Sequence, residues 1–116
     1  MPALNDFDSQ LVHTVATIAS SGTTSGTIAL AGTSPVGVYL PAAFTGTTLT
    51  FTACSTAAGT FVAILDDAGG TLTRTVAQGR FLPLDPALFA GVAFLKIVSG
   101  SAEGAARDLI VVSRPV

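Results

Sequence analysis

The sequence predicts an all-β fold: an antiparallel β-sandwich, jelly-roll-like, with one short helical turn near residues 86–90. Two observations carry this. Apolar residues recur in short runs of period two, the spacing that turns one strand face to a core and the other outward, and no segment sustains the 3.6-residue period of an amphipathic helix. The runs are cut by Gly, Pro, Asp and Ser at intervals of about 8–12 residues, the rhythm of a sandwich or barrel rather than of alternating strands and helices.

The elements follow in order. Residues 11–18 form the first strand, with Leu11, His13, Val15 and Thr17 on one face and Val12, Thr14, Ala16 and Ile18 on the other. Ser20-Ser21-Gly22 breaks it, and residues 23–31 follow with Ile28 and Leu30 aligned. Gly32-Thr33-Ser34-Pro35 reads as a turn, because Gly permits positive φ and Pro fixes φ. Val36, Val38 and Leu40 align in a third strand that Pro41 ends. Residues 47–54 give the clearest pattern: Leu49, Phe51 and Ala53 alternate with Thr48, Thr50, Thr52 and Cys54, an apolar face opposite a Thr face. Residues 61–65 are continuously apolar and are expected to be covered on both faces.

Asp66-Asp67-Ala68-Gly69-Gly70 reads as a hairpin loop. Leu72, Arg74 and Val76 then alternate with Thr, and residues 80–84 form another short strand. Asp85 suits a helix cap, Pro86 the first helical position and Gly91 the exit, which gives one helical turn. Residues 92–98 and 109–113 are the last strands, joined by a Gly/Ser-rich loop, 99–104, that reads as flexible. Of the seven Phe, Phe51, Phe61, Phe81, Phe89 and Phe94 are the expected core markers.

A chain of 116 residues suits one domain. Residues 11–116 are assigned to a single sandwich domain, and residues 1–10, which mix Asp6 and Asp8 with Leu4 and Phe7, to an N-terminal arm. Composition is 49% hydrophobic and only 10% charged. A membrane helix needs roughly 18 or more consecutive apolar residues, and none occurs. The surplus apolar surface is therefore expected to meet another protein. Net charge is −2, and the five cations (Arg74, Arg80, Lys96, Arg107, Arg114) make no basic stripe, which argues against nucleic acid as a partner. Low charge also means weak repulsion between identical copies, which suits a homo-oligomer. The first residues carry no basic region followed by an apolar stretch, so synthesis in the cytoplasm is expected.

Candidate chemistry is sparse, and no enzyme activity, metal or cofactor is expected. His13 is the only His, lies in an alternating strand, and has no G-x-S-x-G nucleophile motif to serve. One His and one Cys do not make a zinc site. Asp66-Asp67 lacks calcium-loop spacing and reads as a hairpin tip. Cys54 falls on the Thr face without a basic neighbour in sequence and reads as a small filler. Gly22, Gly26 and Gly32 lack the strand-then-helix setting of a phosphate loop.

Several segments carry a family resemblance. Residues 26–30 and 36–51, the latter holding Pro41-Ala42-Ala43-Phe44-Thr45-Gly46 before an alternating strand, are joined by Gly59-Thr60-Phe61, Leu65-Asp66-Asp67-Ala68-Gly69, Leu84-Asp85-Pro86-Ala87 and Phe94-Leu95-Lys96-Ile97-Val98-Ser99-Gly100. Together they resemble small virion structural proteins of tailed phages and gene-transfer agents, over roughly residues 10–114. Phe44 departs from the pattern, where Trp is frequent. The resemblance implies a structural role without catalysis: a decoration (cement) protein on the capsid surface, bound to the major capsid protein, with a trimer favoured. The alternative is a tail- or spike-associated module that recognises a host glycan. Leu4, Phe7, Leu11, Tyr39 and Phe44 are the candidate interface residues.

Overall fold

The computed structural model describes residues 11–115. Nine strands run in chain order: β1 (Val12–Ile18), β2 (Ile28–Ala29), β3 (Thr33–Tyr39), β4 (Thr48–Cys54), β5 (Val62–Ala63), β6 (Thr73–Thr75), β7 (Phe81–Pro83), β8 (Phe94–Ser99) and β9 (Arg107–Pro115). A 3-10 turn, Pro86–Phe89, precedes β8. Asp85 caps it by accepting the Ala87 amide, and Pro86 opens it, as the sequence predicts. The turn leaves through Ala90 in a right-handed conformation, so Gly91 is not needed for the exit.

Every pairing is antiparallel. β1 pairs with β9, β2 with β8, β3 with β7, and β4 with both β5 and β6, which is one long hairpin nested about its middle. The hairpin is rolled so that β3 also meets β9 and β4 also meets β8. The result is a four-stranded sheet, β1-β9-β3-β7, and a five-stranded sheet, β2-β8-β4-β5 with β6 on β4. This is jelly-roll topology, with the chain switching sheets at every connection except those joining β4, β5 and β6.

The residues that permit those switches are local. Between β2 and β3, Ala31 and Gly32 have φ of 51° and 84°, and the Thr33 amide donates to the Leu30 carbonyl at 2.9 Å. That is a primed two-residue turn, which Gly makes inexpensive. The expected turn over 32–35 is therefore shorter, and Thr33–Pro35 belong to β3. Pro35 lacks an N–H, and the register shifts between Pro35 and Gly37, so a bulge accommodates it.

Between the sheets lie Ile18, Val38, Leu49, Phe51, Phe89, Leu95, Ile97, Leu109 and Val111, all buried. Phe51 and Phe89 meet edge to face, ring centroids 5.3 Å apart, a geometry that adds to their area burial. Three expected core rings lie elsewhere. Phe81 points outward from β7, and Phe94, at the start of β8, and Phe61, just before β5, are half-buried at the margins of their sheet. Phe44, in the β3–β4 connection, fills the core instead. The 61–65 run shrinks to the two-residue β5, and Val62 and Leu65 are exposed, since no second layer extends over that hairpin.

Candidate functional site

The outer face of the four-stranded sheet gathers the largest set of exposed apolar side chains. Register fixes their arrangement. Val15 on β1 stands opposite Ile110 on β9, Ile110 opposite Tyr39 on β3, and Tyr39 opposite Phe81 on β7. One row therefore crosses all four strands. Its members are exposed, Val15 by 59%, Tyr39 by 49% and Phe81 by 44%. The Tyr39 and Phe81 rings are tilted by 52° with centroids 4.6 Å apart, a favourable aromatic contact. The next row is His13, Val112, Gly37 and Pro83. The Phe81 ring leans across onto Gly37: a Cβ there would fall inside the ring, so only Gly lets it lie flat on the sheet. The third row turns polar, where the Thr17 hydroxyl donates to Asp108 at 2.8 Å.

Beside this face, a depression of about 260 Å³ is lined by Leu40, Thr75, Val76, Arg80, Phe81 and Leu82. It extends the apolar surface around the β7 edge. Its lining offers a single charged group, Arg80, and no convergent set for catalysis.

A second feature was not legible in the sequence. The loop between β8 and β9 is firmly tied rather than free. Glu103 is 1% exposed, and its carboxylate collects hydrogen bonds from four residues. The Thr45 amide donates to Oε1 and the Thr45 hydroxyl to Oε2, each at 3.0 Å, and the Gly46 amide donates to Oε2 at 3.0 Å. Arg107 Nε donates to Oε1 at 3.0 Å, and the Ser99 hydroxyl lies 3.4 Å from Oε2. Backbone bonds from the Ser21 amide to the Glu103 carbonyl and from the Glu103 amide to the Gly22 carbonyl complete the clasp. Burial alone would push the Glu103 carboxyl up, but the Thr45 amide, the Arg107 guanidinium, the Thr45 hydroxyl and the Gly46 amide outweigh it and hold the group below its ordinary value. Every acceptor position is filled from within the chain, so the cluster is a structural tie and has no room for a substrate.

The remaining chemical candidates stay apart. His13 is exposed on β1 opposite Val112. Asp66 accepts the Ala68 and Gly70 amides and closes its own hairpin. Cys54 is half-buried at the end of β4; the Thr56 amide lowers its thiol pKa against the opposing effect of burial, aided by the Thr56 hydroxyl and the Ser55 and Gly59 amides. Among the described residues, no three His, Cys, Asp or Glu side chains cluster as metal ligands, and no helix is long and apolar enough to cross a membrane.

Of the five candidate interface residues, Tyr39 lies at the centre of the apolar face. Leu11 is half-buried just before β1. Phe44 is 2% exposed and offers no surface to a partner, because the β3–β4 connection folds it inward. Leu4 and Phe7 lie outside the described residues. Val15, Ile110 and Phe81 are absent from that set, although the alternation of their strands could have offered them: nothing in one strand says which of its two faces meets the other sheet. No protein-family model matches this chain, and no curated protein matches it either.

Proposed function

We propose that this chain is a structural subunit of a tailed-phage virion: a decoration (cement) protein that seats the outer face of its four-stranded sheet on the major capsid protein. The observation that carries this reading is the apolar row Val15–Ile110–Tyr39–Phe81, which spans the sheet and is exposed along its whole length. Contiguous apolar surface of this kind on a soluble domain marks a protein contact. A subunit that binds the assembled shell and not its free components stabilises the shell by mass action, and many weak copies add. The subunit would be made in the host cytoplasm and end on the capsid surface.

The first two rows of the face contain no Asp, Glu, Lys or Arg, so attachment should depend only weakly on salt. The test is co-sedimentation with mature heads of the virus that encodes the protein. Tyr39→Ser/Phe81→Ser should lose attachment while keeping its β-sheet circular dichroism. Full occupancy of heads by that double variant would overturn the reading.

A tail- or spike-associated module that recognises a host glycan rests on the same pair, since exposed rings can stack on a sugar. A sugar site also needs convergent polar groups. Ile110, Val15, Val112 and Pro83 around the rings supply none, which favours the protein partner. Binding of the isolated protein to a glycan array, lost in Tyr39→Ala, would reverse that preference.

A further inference from the structure

The four-stranded sheet has two edges, and they are built differently. The β7 edge is three residues long, contains Pro83 and follows Arg80, three features that discourage pairing with another strand. The β1 edge has none of them. It is seven residues, Val-His-Thr-Val-Ala-Thr-Ile, without Pro, Gly, Lys or a carboxylate, and it keeps unbroken register with β9 from end to end.

The direction of its backbone groups follows from the ladders. Leu84 donates to the Val36 carbonyl and Leu40 to the Arg80 carbonyl, so even-numbered residues of β3 face β7 and odd-numbered ones face β9. Tyr39 and Gly37 therefore bond Ile110 and Val112, which leaves Leu109, Val111 and Ser113 to bond Ala16, Thr14 and Val12. The N–H and C=O groups of His13, Val15 and Thr17 point away from β9. Thr17 is partly served, because its carbonyl accepts the Gly26 amide at 3.1 Å. No described residue pairs with His13 or Val15 on that side.

We infer that β1 pairs antiparallel with β1 of a second copy of this chain, about a twofold axis at Thr14, joining two four-stranded sheets into one of eight strands. In this register His13 of each copy stands opposite Val15 of the other, and the four free N–H and four free C=O groups meet in four hydrogen bonds. Gly26 sets the limit of the pairing, since it already occupies the next carbonyl. The segment contains no Asp, Glu, Lys or Arg, so two copies meet without repulsion between such charges. The alternative, a ring of three, would need β1 of one copy on the short, Pro-bearing β7 edge of the next. The twofold pair is thus favoured over a threefold ring closed through these two edges.

The pairing also bears on surface area. Two faces side by side, continuous through Val15 and His13, double the apolar surface that one partner can cover. The inference does not require the capsid reading, because it is tested on the isolated protein.

The experiment is sedimentation velocity of the full chain across a concentration series, with amide hydrogen exchange at the same concentrations. The wild type should move from monomer to dimer, and the His13 and Val15 amides should become protected as it does. His13→Pro removes only an outward-facing N–H, so the β1–β9 ladder stays intact, and it should weaken association by on the order of tenfold or more. Val15→Lys, at an exposed position, should do the same through charge. A chain that stays monomeric throughout, or a dimer indifferent to both substitutions, overturns the inference. So does a dimer that forms only after residues 1–10 are deleted, since the edge would then be covered by the chain's own first residues.

Discussion

On the outer side of β4, Thr48 and Thr50 stand opposite Thr75 and Thr73 of β6, and Thr52 stands opposite Lys96 of β8. On the outer side of β1, β9, β3 and β7, the corresponding positions carry Val15, Ile110, Tyr39 and Phe81. Apart from Lys96, both sets are β-branched or aromatic, so both satisfy the strand preference about equally well. They differ in what they do with water. A Thr hydroxyl hydrogen-bonds to solvent, whereas an exposed Val, Ile or Phe keeps an unfavourable hydration that burial would relieve. The outer side of the five-stranded sheet does hold Val98 and Phe94 of β8, but both are half-buried beside the Thr residues and Lys96, so this fold does not need a row of exposed apolar residues there. Their presence on the other sheet favours a cause outside the molecule, which is what the proposed docking face supplies.

The largest change expected is one that destroys both faces together. Glu103 joins the β3–β4 connection, through Thr45 and Gly46, to the end of β8 at Ser99 and the start of β9 at Arg107. It therefore ties strands of both sheets. Glu103→Ala leaves the Arg107 guanidinium and two amides without their acceptor and should cost about 3–5 kcal/mol, the range for breaking one side of a buried ion pair. Urea denaturation measures it. The lone Tyr39 reports the apolar face by fluorescence, far-UV circular dichroism reports both sheets, and the two transitions should shift together. If Tyr39 moved alone, the clasp would serve one sheet only.

The pH dependence has a definite sign. The folded Glu103 pKa is depressed below its ordinary 4.5, so its contribution is complete above that value and is lost as pH falls through the lower folded value. In Glu103→Gln this part of the acid slope should vanish: the gap between the two stability curves should be constant above about pH 4.5 and narrow as pH falls below it.

A smaller effect sharpens the comparison on the apolar side alone. In Gly37→Ala the new methyl displaces the Phe81 ring, which is free to swing into solvent. The stability loss should be about 1 kcal/mol, the worth of the lost contact with Tyr39. Attachment to heads should fall far more than stability does. Equal losses of the two would mean that the flat lie of the ring on the sheet has no role in docking.

Period-two alternation placed most of the strands, and Asp85 and Pro86 the capped 3-10 turn, because strand formation is local and Gly, Pro and Asp punctuate it; the spans 23–31 and 61–65 shrink to the two-residue β2 and β5. What the alternation could not supply is the choice of face. β7 reads the same whether Phe81 or Leu82 points inward, and only pairing with β3, with Val38 opposite Leu82, decides for Leu82. Phe44 was placed at the surface for the opposite reason: its segment has no alternation, and its burial depends on a connection folding across the sandwich end. Glu103 lay hidden in a Gly/Ser-rich loop, since its partner Thr45 is 58 residues away and no local pattern joins them.

The smallest change tests the Thr face. Thr50→Val/Thr73→Val replaces a directly opposed pair with nearly isosteric side chains of similar strand preference, at outward positions. Stability should stay within about 0.5 kcal/mol of wild type. Head attachment should also be unchanged, because docking needs the Tyr39–Phe81 pair with Phe81 laid on Gly37, not apolar area as such. The stringent form places the two Val substitutions in the Tyr39→Ser/Phe81→Ser background. If attachment returned there, any greasy sheet surface would serve, and the distinction between the two faces would carry no information about the partner. If it stays lost, the specific row from Val15 to Phe81 is what the partner reads.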